Sequence, residues 1–287
     1  PPIAFLAKSR NAALEPMWAP PPAPRPGVAA AAARAPRYDR LVFINDVVFC
    51  AGDVLRLLAH GPLSGAALAC GLDFNAHGPH RTDFYDKWVT VDLRGRHQLP
   101  AHVGGGAAAL PQHKRPGLWL TRDMVRADCP EAPAPCPARF EAPAQMYCCW
   151  NGVAVFDARP FYGGLRFRWG ADLDPGRSNA SECANSECTL ACKDLWRMGR
   201  GQVVLDPGVQ VAYRHAIHRE WLRTFSAPEA SVPARLELTA PQPEAWDCYQ
   251  LRDPGERKLH WTAPPVVEPL GSNVGPLPYG PRWRRWP

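Results

Sequence analysis

The chain has 287 residues, with 33 Lys+Arg against 27 Asp+Glu for a net charge of +6, 34 Pro and 10 Cys. Hydrophobic residues at 46% and charged ones at 21% sit close to globular averages, which excludes a wholly disordered chain. No run of about 18 apolar residues occurs, so no membrane-spanning helix is expected in these residues, and a charge of +6 with only short basic clusters gives no case for a nucleic-acid partner.

In chain order, Ile3, Leu6, Ala7, Arg10, Ala13 and Leu14 recur at helical spacing and predict a helix over 3–17, with Pro16 as its stop. Prolines at roughly 12% of residues, against a usual ~5%, mark irregular chain, and Pro20-Pro21-Pro22 sets the first such segment, a Pro/Ala linker over 18–37. Leu41-Val42-Phe43-Ile44 reads as a buried strand ending in the polar pair Asn45-Asp46. A helix then starts at Asp53 as N-cap, buries Val54, Leu55, Leu57 and Leu58, and stops at Gly61-Pro62. Ala66 to Cys70 reads as a second buried strand, stopped by Gly71. Strand, helix and strand with short connections predict an α/β domain with a parallel sheet.

Residues 83–93 carry Phe84, Tyr85, Trp88, Val89 and Val91, and 95–144 reads as a loop-rich insertion. Order resumes at Tyr147 to Gly152. There follow a strand at Val153–Phe156, a turn at Asp157–Pro160, and a helix over Glu187–Met198 ended by Gly199. Two short strands, Val203–Leu205 and Val209–Val211, flank Pro207-Gly208. The expected organisation is a domain over 1–225 and a Pro-rich irregular tail over 226–287, which ends in the Arg/Trp run 282–286.

The cysteines include no C-x2-C pair, so a zinc ribbon or finger is a poor match. Cys183, Cys188 and Cys192 suit either one helical face or a local disulfide. With Asn179-Ala180-Ser181 as a glycosylation sequon, the even cysteine count tilts the chain toward the secretory pathway.

Asn45-Asp46 is the clearest chemical feature, because ligands of open α/β sheets bind beyond the carboxyl ends of strands. An aspartate there either holds a divalent cation that neutralises a diphosphate, or simply turns the chain into the next helix. Asp73, Asp83, Asp86 and Asp92 offer further carboxylates among which the sequence does not choose. His215 and His218 read as satisfied histidines ahead of late metal ligands.

Several blocks resemble one family in one order. Phe43-Ile44-Asn45-Asp46-Val47-Val48-Phe49 with Asp53-Val54-Leu55 is similar to the metal-motif segment of glycosyltransferase family 69, which includes the fungal capsule-associated α-1,3-mannosyltransferases and related cryptococcal proteins. Ile3 to Asn11 with Leu14-Glu15-Pro16 resembles its arginine–asparagine helix. Cys70 to Phe74, Phe84 to Val89, Cys149-Trp150-Asn151-Gly152, Phe161, Leu165 to Arg168, Ser186 to Leu190 and Val209 to Tyr213 continue the order over residues 2–215.

The resemblance implies a GT-A-like, Rossmann-like α/β glycosyltransferase fold and transfer of mannose from GDP-mannose to a glycan acceptor, with retained α configuration. Asn45-Asp46-Val47 would stand where many GT-A enzymes carry Asp-x-Asp, with Asp46 as ligand of Mn²⁺ or Mg²⁺. Arg10, Asn11, Asn45 and Asp46 are expected at the donor, and Trp150, Asn151 and Gly152 at the sugar or acceptor. Glu187 is expected to orient or deprotonate the acceptor, with Glu182 as its competitor. The resemblance implies that these residues begin after the family's upstream membrane anchor and first strand, so the GT-A-like fold is expected to lack its first strand here, and it implies a type II protein of the Golgi or ER lumen. Two other classes stay open: a non-catalytic carbohydrate-binding relative, and a disulfide-rich secreted interaction protein.

Overall fold

The computed structural model describes residues 2–18, 38–76, 82–86, 89–95, 143–168, 186–219, 232–233, 235–239, 241–248 and 266–269. The linker over 19–37, most of the insertion and most of the tail lie outside the described residues, as do Cys183 and Glu182.

The first helix divides into α1 (Pro2–Ala13) and α2 (Glu15–Trp18). Pro16 does not stop the helix; it lies in the first turn of α2, where a missing N–H costs nothing. β1 (Arg40–Ile44) forms where expected but is an edge strand, not a buried one, with Val42 40% and Ile44 43% exposed. Helix α3 (Ala51–Ser64) is longer than expected at both ends. Its N-cap is Cys50. Asp53 sits three residues in, and its carboxylate accepts the Cys50 backbone N–H at 2.6 Å. Gly61-Pro62 lies inside the helix, which ends at Gly65 in the left-handed region, φ 70°. A Cβ on Gly61 would lie 2.0 Å from the Arg40 guanidinium, so this glycine admits that side chain.

β2 (Leu68–Ala76) runs straight through Gly71, and the two strands expected around Pro207-Gly208 are one, β6 (Val203–Ala212). Their pairing jumps from Cys70↔Leu205 to Leu72↔Gln210, so Asp206, Pro207, Gly208 and Val209 all bulge opposite Gly71. A Cβ on Gly71 would meet Val209 Cγ1 at 2.6 Å and its carbonyl oxygen at 2.7 Å. The glycine marks a close backbone approach, not a strand end. The bulge is held from α3: Asp206 accepts from Arg56 Nε at 2.8 Å and Nη2 at 3.1 Å, and meets His60 Nε2 at 2.7 Å.

The sheet has six strands in the order β1-β5-β2-β6-β4, with β3 (Thr82–Phe84) also on β2; β4 is Ala144–Met146 and β5 is Val153–Asp157. Among the described residues, only β2 and β6 pair in parallel; every other pairing in this sheet is antiparallel. The parallel-sheet expectation therefore gives way to a mixed sheet. β1 and β2 do run the same way around α3, but β5, remote in sequence and buried along its whole length, inserts between them.

Alternation along the central strands feeds two apolar layers. Leu68, Cys70, Ala154, Phe156, Val203 and Leu205 face one layer with Ala7, Met17, Phe161 of α4 (Arg159–Tyr162) and Leu195 of α5 (Glu187–Arg197). Ala69, Val153, Val155, Val204 and Val211 face Leu57 of α3, with Leu236 and Leu238 packed alongside. Coverage on both sides explains why these strands read as continuous apolar runs. Each large side chain so buried contributes about 1.5–3 kcal/mol. The tail, expected to be irregular, holds an antiparallel pair, β7 (Ala245–Cys248) and β8 (Val266–Pro269).

Two disulfides anchor the segment before β5: Cys70–Cys149 ties it to β2, and Cys148–Cys192 ties it to α5. Cys188 and Cys192 share a helical face as expected, but Cys192 bonds to a distant partner and Cys188 remains a buried thiol. The reach from Cys192 to Cys148 was not visible in local spacing.

Candidate active site

The carboxyl ends of β1, β2 and β6 meet the amino end of β5 at one edge of the sheet. Asn45-Asp46 follow β1, Asp73 lies near the end of β2, Tyr213 follows β6, and Asn151-Gly152 lead into β5. The turn before β5 is left-handed, with φ 53° at Asn151 and 76° at Gly152. A Cβ on Gly152 would stand 3.0 Å from Asp73 Cβ and from Val47 Cγ1, and 3.1 Å from Val211 Cγ2. Glycine here lets three strand ends converge. The Gly152 carbonyl also accepts the Asn45 backbone N–H at 2.8 Å.

Arg10, in the last turn of α1, crosses to Glu187, the first residue of α5, and the two side chains form an ion pair largely out of solvent. Arg10 Nη1 also donates to Cys188 Sγ at 2.8 Å. Its guanidinium lies 4.1 Å from the centroid of the Trp150 ring, a cation–π contact strengthened by desolvation. Trp150 Nε1 in turn donates to Asn45 Oδ1 at 3.3 Å. Glu187, Arg10, Trp150 and Asn45 thus form one connected chain that ends beside Asp46, which is exposed.

A second network involves the acids that the sequence left unsorted. The Asp86 backbone N–H donates to Asp73 Oδ1 at 3.1 Å, Tyr213 Oη donates to Asp73 Oδ2 at 3.3 Å, and the two carboxyl groups share a hydrogen bond. Asp86 also takes the Gly152 backbone N–H. Burial, then the charge of Asp86, holds the Asp73 carboxyl well above the usual carboxylate range. Burial, then the charge of Glu187, raises Asp86 to about 6, with Arg10 opposing. Two buried carboxyls this close favour sharing a proton. The same environment raises the Tyr213 hydroxyl through burial and the charges of Asp73 and Asp86. Tyr85 is raised by burial and by Asp86, Asp73 and Asp46, in that order.

The expected site residues are placed unequally. Arg10, Glu187, Asn45 and Asp46 come together. Asn11 is occupied as a strut: its Nδ2 donates to the Phe167 carbonyl at 2.7 Å, and its Oδ1 accepts the Phe167 N–H at 2.9 Å. Asn151 is fully buried, donating to Gly71 O at 2.8 Å and accepting from Thr90 Oγ1 at 2.6 Å. Trp150 is 1% exposed and packs against Phe43, Phe156 and Phe167, so it supports Arg10 and presents no open platform for a sugar ring. Gly152 contributes through its backbone. Of the open aspartates, Asp73 and Asp86 lie in this second network, while the side chain of Asp83 lies outside the described residues.

For a divalent cation, Asp46 supplies one exposed carboxylate, while Asn45 Oδ1 is engaged by Trp150. Among the described residues, no trio of His, Cys, Asp or Glu ligand atoms gathers around Asp46. One carboxylate completed by phosphate oxygens and water is a donor set that Mg²⁺ commonly uses, so the residues fit a cation brought with a diphosphate.

The family model described as Cryptococcal mannosyltransferase 1 matches residues 2–194. The chain belongs to this family. The matched range contains Arg10, Asn45, Asp46, Asp73, Asp86, Trp150 and Glu187, so the resemblance read from the sequence blocks holds across most of the site. Alpha-1,3-mannosyltransferase CMT1 of Cryptococcus neoformans var. neoformans serotype D is 30% identical over 222 residues, covering 76% of this chain and 41% of that relative. The chain therefore spans about two fifths of the length of this curated relative. No solved structure matches.

Proposed function

We propose that the chain carries the catalytic site of a mannosyltransferase, moving mannose from GDP-mannose to a glycan hydroxyl with retained α configuration, on a GT-A-like α/β fold. The observation that carries the reading is the junction of the Glu187–Arg10–Trp150–Asn45 chain with Asp46 at the carboxyl end of β1, within residues that match the family. The site's position at converging strand ends supports a nucleotide-sugar ligand.

The reaction breaks the bond between mannose C1 and the β-phosphate oxygen, whose electron pair leaves with GDP. A bond forms from the acceptor oxygen to C1, and the acceptor proton must be taken up. Leaving-group charge is the principal demand, and a Mn²⁺ or Mg²⁺ ion held by Asp46 would supply that neutralisation when bound. Arg10 supports it from the protein side: Nη1 is committed to Glu187 and Cys188, and the rest of its planar fork is suited to phosphate oxygens. Glu187 would orient or deprotonate the acceptor; its side chain is buried and held by Arg10. Asp86, held near 6, is a carboxyl able to exchange a proton near neutral pH. The two disulfides and the sequon at Asn179 support a lumenal ER or Golgi setting.

The test is turnover of GDP-mannose with and without Mn²⁺, by wild type and Asp46→Ala, with far-UV circular dichroism as the fold control. Cation-dependent release of GDP that Asp46→Ala abolishes supports the reading. Normal turnover by that variant removes Asp46 from the site, and no turnover of any nucleotide sugar by wild type removes the enzyme reading in favour of a carbohydrate binder.

A further inference from the structure

A cluster of three different donor types lies where α3 begins. Cys50 is the N-cap of α3, Asp53 sits in its first turn, and His218 comes from the helical residues 215–219 that follow β6. A sulfur, a carboxylate oxygen and a ring nitrogen, one from each, all lie within 4.8 Å of one another. His218 is 6% exposed, and its Nε2 has no hydrogen-bond partner among the described residues. Leaving a buried polar nitrogen without a partner is costly, so the arrangement favours a ligand for it. Asp53 is 9% exposed and accepts the Cys50 N–H through Oδ2, which holds its carboxylate beside the Cys50 sulfur.

We propose that Cys50, Asp53 and His218 form a site for a thiophilic divalent cation of the Zn²⁺ class. Thiolate, imidazole and carboxylate together match zinc, whereas a set of oxygen donors completed by phosphate suits the harder cation expected at Asp46. With zinc–sulfur and zinc–nitrogen bonds of about 2.3 and 2.0–2.1 Å, tetrahedral donors stand about 3.5 Å apart. Side-chain rotation closing about 1 Å reaches that spacing, and water completes the fourth position. On binding, the Cys50 S–H bond breaks, its proton passes to solvent, and the thiolate takes the metal. The ion would clip the start of α3 to the chain beyond β6, alongside the Val48↔Ala212 bridge. The loop carrying Asn45 and Asp46 would then be pinned behind as well as by Trp150 in front, which makes the cation a positioning element for Asp46.

The test uses Co²⁺ as a spectroscopic probe and Zn²⁺ as its competitor, on the purified chain stripped of metal. The expected result is one Co²⁺ per chain, a thiolate-to-cobalt charge-transfer band with tetrahedral d–d absorption, and displacement by Zn²⁺. Cys50→Ser removes the charge-transfer band, and His218→Asn weakens Co²⁺ binding at least tenfold. Asp53→Asn keeps an acceptor for the Cys50 N–H and weakens binding, and its metal-free melting temperature, measured alongside, separates lost ligation from lost folding. Asp46→Ala keeps the full spectrum. Absence of a charge-transfer band in wild type, its persistence in Cys50→Ser, or its loss in Asp46→Ala would each overturn the proposal.

Discussion

Replacing Asp86 with asparagine probes the buried acid pair directly. The amide keeps an acceptor for the Gly152 N–H and offers a donor to Asp73, but it cannot ionise. In the folded protein the Asp86 carboxyl titrates at about 6, against 3.8 for an ordinary aspartate. A raised folded pKa stabilises the fold fully below the unfolded pKa, and that contribution is lost as pH rises through the folded value. At about 1.36 kcal/mol per pH unit, the loss between pH 3.8 and 6 comes to about 3 kcal/mol, an upper value because Asp73 and Asp86 share protons. Asp73, shifted in the same direction, steepens the wild-type dependence. The Asp86→Asn variant should therefore match wild type near pH 4, overtake it between pH 4 and 6, and lead by up to about 3 kcal/mol at pH 7. Urea unfolding at pH 4, 5, 6 and 7, with both proteins extrapolated to water, reads the difference. A constant difference across that range would refute the reasoning. So would a variant that loses ground as pH rises, since Asp86 would then be behaving as an ordinary carboxylate paired with Arg10.

Three further outcomes follow from the geometry. Gly152→Ala must hold a Cβ at φ 76° among contacts of 3.0–3.1 Å, and should cost about 2 kcal/mol in urea unfolding while lowering turnover through the displaced Gly152 N–H; an unchanged midpoint would contradict it. Arg56→Met leaves the buried Asp206 carboxylate to His60 and the Gly208 N–H, at a cost of about 3 kcal/mol, and a loss below about 1 kcal/mol would show that Arg56 does not hold the β6 bulge. Reducing the disulfides, which close sequence separations of 79 and 44 residues, should lower the melting temperature by removing about 2–4 kcal/mol per bridge. An unchanged melting temperature after thiol counting confirms reduction would contradict that.

Features that live in local pattern were readable in advance. Short apolar runs rich in branched residues identified β1, β5 and both halves of β6, and the helix expected over Glu187–Met198 matches α5 closely. The ordered blocks identified the family, and strand-end logic located Asn45-Asp46. What escaped the sequence depends on partners far along the chain. β5 entering between β1 and β2 turned an expected parallel sheet into a mixed one, and Gly71 was read as a stop because Val209, which requires its small size, lies 138 positions later. Trp150 and Asn151 looked like ligand-binding residues because aromatic and amide side chains do bind sugars. Their burial, and their commitments to Arg10, Asn45, Gly71 and Thr90, are tertiary facts. The pairing of Asp73 with Asp86 likewise needed the chain after β3 to fold back onto the end of β2.

The most direct test of the central claim is the steady-state rate of mannosyl transfer from GDP-mannose to a glycan acceptor by wild type and Glu187→Gln, with melting temperatures compared. If the Glu187–Arg10–Trp150–Asn45 chain and Asp46 form one catalytic site, the variant should lose at least about 100-fold in kcat with little change in the KM for donor, as expected when a group acts in the transition state. A Glu187→Gln protein that transfers mannose at the wild-type rate would contradict the account.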